Sequence, residues 1–482
     1  MRKKGFALFL SFALVWLMAA CQDDDSFTTS PSHLLTFSTD TVRLDTMFSN
    51  VPSAAKTLWV FNRSGDGLRC RSIRLEDGAR SGFRVNVDGI GLSENNDYNT
   101  SEVELRNKDS VRVIVEATLP AAREAAPEER NDNIVFTLES GVEQRVCLNA
   151  WAWNARLLRN VRISRDSLLD ASAAVPTVIY GGLRVDSGAT LTIAPGSTLY
   201  FHSDAGMDVY GRLIAEGTAD KGILLRGDRI DRMFDYLPYD RVPAQWIGVR
   251  FHSSSYENKM KFIELHSTNT AITVDSSDVE RQKLLLSHAT VHNCQGYGLV
   301  TSNAKVRLEN VQITNTLYDC LAVNGGDVFV NNATLAQFYP FDSRRGAALA
   351  FNDRYPIVAL TVRNSLLTGY ADDVLMGTSA DTARLDHYQF DYCMIRTPRL
   401  TTADSLHFTN VIFENVKDTT AMGEKHFVKI DTDKLIYDFR LDSVSAAVGK
   451  ANPATAMPDD RDGRKRKHTP DLGAYEYIKP EN

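Results

Sequence analysis

A chain of 482 residues, 43% hydrophobic and 24% charged, is ordinary globular material, long enough for two or three domains. Its formal net charge of −7 excludes the strongly basic class that binds nucleic acid through a cationic face. At the start, Arg2, Lys3 and Lys4 precede an apolar run from Gly5 to Ala20, which is short for a bilayer span and suits the core of an export signal.

Leu17-Met18-Ala19-Ala20-Cys21 then resembles a lipobox, with Met18 where a leucine is usual. The resemblance implies that residues 1–20 are a lipoprotein signal peptide and that Cys21 becomes the lipidated N-terminus. Residues 21–33 read as an acidic tether, and Gln22-Asp23-Asp24-Asp25 resembles the surface-export signal of Bacteroidetes lipoproteins. The expected location is therefore the outer membrane, with the lipid bilayer a partner through acylated Cys21 and the chain facing the cell exterior. Several acyl chains on one cysteine hold more firmly than one.

Residues 34–155 alternate with period two in short runs broken by polar turns. Leu58 and Val60, Ile73 and Leu75, Phe83, Val85 and Val87, Val111, Val113 and Val115, Ile134, Phe136 and Leu138, and Val146 and Leu148 each mark a half-buried strand. That pattern predicts an antiparallel β-sandwich. Phe83-Arg84-Val85-Asn86-Val87-Asp88-Gly89 resembles part of the immunoglobulin-like domain that precedes a β-helix in Bacteroidetes lipoproteins. Cys70 shares strand parity with Leu68 and should point inward, whereas Cys147 alternates against Val146 and Leu148, so a disulfide between them is not expected. Cys294 and Cys320 sit at different distances from their coil anchors and do not stack, and buried apolar thiols are the expectation for these cysteines and for Cys393.

From residue 156 to 478 the rhythm is that of a solenoid. Leu183 to Phe201 and Val209 to Leu225 carry clipped apolar runs with Gly188, Gly196, Gly211, Gly217 and Gly222 between them. Asp228 to Ala244 interrupts the pattern as an insertion rich in Asp, Arg and Tyr. Ser287 to Gln337 then writes one phrase three times, with Val291, Ile313 and Leu335 spaced by 22 residues. The anchors continue as Leu265, Val291, Ile313, Leu335, Leu367, Ile395 and Phe413, at intervals of 26, 22, 22, 32, 28 and 18. A constant strand phrase with variable intervals means that loops of different length leave a constant coil. Asn310, Asn332, Asn364 and Asn410 each lie three residues before an anchor and are expected to stack as a structural ladder that satisfies turn amides. Arg464 to Lys467 reads as a solvated cationic loop.

This pattern resembles the right-handed parallel β-helix of the pectate-lyase-like superfamily. Ser445-Ala446-Ala447-Val448-Gly449, Asp460 to Arg464 and Thr469 to Tyr477 resemble the closing signature of bacterial surface proteins of that kind. The resemblance implies an all-β fold and export. It does not imply an activity, because the fold carries lyases, hydrolases, adhesins and stalks alike.

Two places could carry chemistry. An aromatic and then an acid follow the anchors, as Tyr297, Tyr318-Asp319, Phe341-Asp342 and Tyr370 with Asp372 and Asp373. Stacked in a column, such side chains would offer rings to sugars and carboxylates to Ca²⁺ at Asp319, Asp342 and Asp373, with Arg344 and Arg345 close by for an acidic polysaccharide. Ordinary turn chemistry explains the same residues. The insertion is the other place: Asp231, Asp235, Tyr236, Tyr239 and Asp240, with Trp246 just after it, form a loop on a rigid scaffold, where binding residues gather. Mixed charges at that spacing also pair with one another. Arg226-Gly227-Asp228 spells an adhesion tripeptide, a very short match. The ten histidines show no spacing of a zinc site, and no phosphate loop or serine elbow is present. The sequence reading is a surface lipoprotein that binds glycan or adheres without catalysis; the alternative is a polysaccharide lyase or glycoside hydrolase using a groove of the β-helix. Apart from calcium, no cofactor is expected.

Overall fold

The architecture comes from a computed structural model that describes residues 26–172, 174–234, 236–379 and 385–479. The export signal, Cys21, the acidic residues Asp23, Asp24 and Asp25, and Asp235 of the insertion lie outside the described residues. The chain divides into two compact units, Met1–Asn154 and Ala155–Asn482. Among the described residues no helix is long and apolar enough to cross a membrane.

The first unit is a β-sandwich. One sheet runs Leu35–Phe37, Lys56–Asn62, Ser110–Ala117, Phe83–Val87 and Ile90–Leu92, and the other runs Thr41–Phe48, Glu143–Trp153, Glu128–Leu138, Leu68–Leu75 and Asn99–Thr100. Pairing is antiparallel except between Thr41–Phe48 and Glu143–Trp153, which lie parallel. The alternating residues decide which face is buried: Leu58, Val60, Val85, Val113, Ile134, Phe136, Val146 and Leu148 fill the space between the sheets. Cys70 is buried and Cys147 partly exposed, and both are free thiols. Burial pushes the thiols of Cys70, Cys294, Cys320 and Cys393 up to about 12, so none is a thiolate near neutral pH.

The second unit is a parallel β-helix. Its strands join one continuous 23-stranded sheet in which each strand pairs in parallel with its counterpart one coil on. The register carries the sequence anchors directly: Leu265 pairs with Val291, Val291 with Ile313, Ile313 with Leu335, Leu335 with Leu367, Leu367 with Ile395, and Ile395 with Phe413. A second row, Leu299, Leu321, Leu349 and Leu375, stacks on another face. Both rows point inward and merge into one apolar core along the solenoid.

The residue three before each anchor turns the corner. Phe262, His288, Asn310, Asn332, Asn364, Tyr392 and Asn410 all have φ between +43° and +54°. Asn occupies this corner most often because it tolerates the left-handed conformation best among residues with a side chain. The sequence suggested that these side chains satisfy turn amides within the solenoid, but the oxygens of Asn310, Asn332 and Asn364 accept from the C-terminal segment instead. Asn332 Oδ1 accepts from the Met457 N–H at 2.9 Å, Asn364 Oδ1 accepts from the Asn452 N–H at 2.8 Å, and Asn310 Oδ1 accepts from Arg466 Nη2 at 2.9 Å. The buried asparagines thus dock the C-terminal segment onto the solenoid edge.

In that segment Arg464, Lys465 and Lys467 are exposed, as expected of a solvated cationic loop, and Arg466 alone departs from the expectation. Arg466 is buried and donates to the carbonyls of Asp459, Gly473 and Ala474 at 3.0, 2.9 and 3.2 Å and to Glu476 Oε2 at 3.2 Å. Asp460 and Asp471, both fully buried, cap turns: Asp460 accepts from the N–H groups of Asp462, Arg464 and Glu476, and Asp471 from those of Gly449 and Tyr477. The closing signature is therefore a set of buried charges that tie the tail down.

Candidate functional site

On the face that carries the anchor row, alternation sends the residues on either side of each anchor outward. Glu264, Thr290 and Gln312 follow one another in register, as do His266, His292 and Thr314. Leu435 to Arg440, Arg461, Asp462 and Tyr475 from the C-terminal region, and Asp240 and Arg241 from the insertion, stand over these rows. They enclose a cleft of about 610 Å³. Tyr475 reaches across it, donating its hydroxyl proton to Gln312 Oε1 at 2.7 Å.

Charges are matched along the cleft wall. Asp438 pairs with Arg440, Asp462 with Arg461 at 3.5 Å, and Asp240 with Arg226 at 2.8 Å. Arg241 donates to the Lys434 carbonyl at 2.8 Å. Burial alone would raise the Asp438 carboxyl, but the hydrogen bonds and charge of Arg440 outweigh it and hold the group below the ordinary carboxylate range. Four buried polar atoms of lining residues, Asp240 Oδ1, Asn315 Oδ1, the Tyr437 hydroxyl and Arg461 Nε, make no hydrogen bond among the described residues, although Asp240 Oδ1 is ion-paired with Arg226.

Glu264 and His292 line the cleft, and a second imidazole, the buried His266, stacks on His292. The rings of His266 and His292 stack with centroids 4.9 Å apart. His292 Nε2 donates to Glu264 Oε1 at 3.2 Å, and His266 Nε2 lies 3.8 Å from the same oxygen and 3.6 Å from Asp240 Oδ1. Burial tends to raise Glu264, but the hydrogen bond from His292 and the charges of His292, His266 and Arg461 bring it down to about 2. His266 is lowered to about 4 by burial and by its neighbour His292, against the pull of Asp240 and Glu264. Glu264, His266 and His292 are a group of potential metal donors whose ligand atoms all lie within 4.8 Å of one another.

No family model matches the chain. No curated protein matches it either. Among solved structures, it overlaps the catalytic domain of a GH87 α-1,3-glucanase in complex with nigerose, at 11% identity over 75% of this chain and 87% of that one, with a TM-score of 0.21. It also overlaps Dex49A from Penicillium minioluteum, at 7% identity over 77% and 74% of the two chains, with a TM-score of 0.18. A family 123 glycoside hydrolase from Clostridium perfringens is matched over only 26% of its length and 26% of this chain, at 12% identity and a TM-score of 0.17. Overlaps of this quality carry no argument about activity.

The residues singled out in the sequence are scattered by the fold. Asp240 lines the cleft, and Asp372 borders a second hollow of about 630 Å³ together with Thr397, Arg399, Phe413 and Glu414. Tyr297 and Tyr318 pack ring against ring at 5.1 Å, with Tyr318 half exposed. Asp319 Oδ1 accepts from the Ala347 N–H at 2.7 Å, and burial raises its carboxyl despite that bond. Asp342 accepts from the Arg344 N–H at 2.8 Å and from its guanidinium at 3.3 Å. Arg345 lies 4.8 Å above the Tyr370 ring and donates to the Tyr339 carbonyl. Asp373 accepts from Thr397 Oγ1 at 2.7 Å and from the Leu375 N–H at 3.2 Å, and Asp372 faces Arg396 at 3.3 Å.

The expected acidic column is thus corrected. Leu321 pairs with Leu349, so the neighbour of Asp319 on the next coil is Ala347, and Asp342 belongs to a loop that leaves the coil before this row resumes. Asp319, Asp342 and Asp373 are not a group of neighbouring metal donors, because each is spent on a turn amide, a hydroxyl or an arginine. In the insertion, Asp231 forms a two-pronged pair with Arg229, which lies 3.7 Å over the Tyr239 ring, and Tyr236 stacks on Phe234. Trp246 is core: it is fully buried, stacks 4.4 Å from Phe201 and donates its indole N–H to the His266 carbonyl at 2.9 Å. Asp228 is buried against His202 at 2.7 Å, which removes the tripeptide's acid from the surface.

The group the sequence reading missed is Glu264, His266 and His292. Their signal was present: each histidine directly follows an anchor, Leu265 or Val291, and the glutamate directly precedes one. Zinc spacing rules look within one loop or helix turn, whereas this spacing is one full coil of 26 residues.

Proposed function

We propose that this protein is a lipid-anchored surface protein whose β-helix binds a glycan, without catalysis, in the cleft beneath the C-terminal cover. The cleft carries the reading. Its volume is that of a small-ligand site, and its wall mixes the aromatic residues Tyr437, Phe439 and Tyr475 with Asn293, Asn315, Gln312, Arg440 and Asp438. Flat polar groups and paired charges suit the hydroxyls of a sugar, and rings suit its apolar face. The unpartnered atoms of Asn315 and Arg461 supply bonds for a ligand to complete. A glycosidase needs a carboxyl raised enough to donate a proton beside one that stays ionised. Glu264 and Asp438 are both held low, which favours binding over hydrolysis. In this reading Cys21 carries the lipid that fixes the chain to the outer membrane, and the polysaccharide lies outside the cell.

The test is a screen of the purified protein against a glycan array, followed by titration of the strongest ligand and an assay for released product. Arg440→Ala should weaken binding by about 10-fold through loss of charged hydrogen bonds, with no product formed by either protein. Binding to no glycan, or binding untouched by Arg440→Ala, refutes the cleft as a glycan site; product release moves the assignment to a lyase or hydrolase. Labelled palmitate that enters the wild-type protein but not Cys21→Ala tests the anchor.

A further inference from the structure

We propose that His266, His292 and Glu264, with Asp240 beside them, bind one divalent transition-metal ion of the zinc class at the wall of the cleft. The inference does not rest on the glycan reading. It rests on where lone pairs point. Ser267 Oγ donates its only proton to the Asp240 carbonyl at 2.9 Å, so the 2.9 Å contact between this oxygen and His266 Nδ1 requires the ring to carry its proton on Nδ1. In the neutral ring Nε2 is then a bare lone pair. That lone pair faces two carboxylate oxygens, Asp240 Oδ1 at 3.6 Å and Glu264 Oε1 at 3.8 Å. Arg226 already pairs with Asp240 Oδ1 at 2.8 Å and His292 with Glu264 Oε1 at 3.2 Å, and a cation beside the Nε2 lone pair would draw these acceptors together. A metal ion is such a cation.

The geometry is close to what such an ion needs. Zinc with bonds of about 2.1 Å in a tetrahedron sets its donors about 3.4 Å apart. The separations here are 3.2, 3.6 and 3.8 Å for His292 to Glu264, His266 to Asp240 and His266 to Glu264. Neighbouring rungs of the β-helix hold both histidines in register, and Ser267 orients one of them as an outer partner does in metal sites. Two imidazoles and a carboxylate select zinc, cobalt or nickel over calcium. Arg226 Nη1 holds Asp240 Oδ1 at 2.8 Å, so the ion would share that oxygen with it, and Arg461 is paired with Asp462 at 3.5 Å. A second observation points into the same cleft: Asn315 is 99% buried and its Oδ1 has no partner among the described residues. On binding, His292 gives up the Nε2 proton it now donates to Glu264, either to bulk water or to its own Nδ1.

The experiment uses the full chain stripped with a chelator, dialysed, and titrated with zinc chloride alone in a calorimeter. One equivalent per chain is expected. His266→Gln and His292→Gln should each weaken binding by at least about 100-fold, Ser267→Ala by about 10-fold, and the exposed His468→Gln not at all. Cobalt in place of zinc should give the intense visible absorption of a tetrahedral ion, and this readout needs no variant. If a histidine variant fails to fold by circular dichroism, the partly exposed Glu264→Gln carries the comparison, with a loss of about 10-fold or more and an altered cobalt spectrum. Absence of stoichiometric zinc binding, or binding that survives the ligand substitutions, overturns the site. Neither outcome depends on any carbohydrate, so this proposal and the glycan reading fail separately.

Discussion

Replacing Arg466 by Met should detach the C-terminal cover. The guanidinium is buried against Glu476 Oε2 at 3.2 Å and donates to Asn310 Oδ1 and to the carbonyls of Asp459, Gly473 and Ala474. Removing one partner of a buried pair leaves the other uncompensated, which costs about 3–5 kcal/mol. Glu476 keeps two backbone donors, the N–H groups of Asp471 at 3.1 Å and Lys467 at 3.2 Å, so a loss near the lower limit, about 3 kcal/mol, is expected. Methionine preserves much of the volume and hence isolates the polar loss. Denaturant unfolding measures the global cost. Hydrogen exchange at Gly473 and Ala474, whose N–H groups donate to the Asn364 carbonyl and to Thr334 Oγ1, measures the local one. The double variant Arg466→Met, Glu476→Gln should lose less than the sum of the singles. A cost under about 1 kcal/mol, with the tail amides still protected, would mean that the pair behaves like a surface ion pair and that the cover is held by other contacts.

Three further outcomes follow from the same geometry. Asn332→Ala should cost about 2–3 kcal/mol in an unfolding titration, from a left-handed residue without asparagine's tolerance and from the lost bond to Met457, while Asn332→Gly should recover the backbone share only. Trp246→Ala should cost about 3–5 kcal/mol as a core cavity, and a neutral effect on stability would return this residue to the surface loop. In metal-free protein, stability should fall with pH in two windows. His266 has a folded pKa of about 4 against 6.5, so the unfolded chain takes up its proton first and stability drops as pH falls from 6.5 toward 4. Glu264, at about 2 against 4.5, adds a second drop below pH 4.5. Unfolding titrations of wild type and His266→Gln check this: the first window should flatten in the variant, and an unchanged profile refutes the burial of a neutral ring.

Much of the architecture was legible in the chain because it rests on periodicity. Leu265, Val291, Ile313, Leu335, Leu367, Ile395 and Phe413 could be lined up before any coordinates, since a coil must return an apolar side chain to the core at each turn. The alternation around Leu58, Val85, Val113 and Val146 likewise sets the buried face of the sandwich, because side chains of a strand have only two directions. The corner position three before each anchor was visible as Asn310, Asn332 and Asn364, although their bonds to the tail were not.

Tertiary structure alone decided the site. Asp319 and Asp342 look equivalent when counted from Ile313 and Leu335, but a loop of variable length lies between anchor and acid, and a few extra residues move Asp342 out of the row that pairs Leu321 with Leu349. Counting works where the backbone ladder enforces register and fails where the chain leaves the ladder. Within the exposed run Arg464 to Lys467, the burial of Arg466 could not be read because it depends on Asn310 and Glu476, 156 and 10 residues away. The two imidazoles and the carboxylate that meet at the cleft are brought together by coil stacking, and they are enclosed by a tail more than a hundred residues further along. Short-range patterns therefore determined the strands and the coil, whereas the cleft, its charges and its candidate metal donors came from contacts between residues distant in the chain.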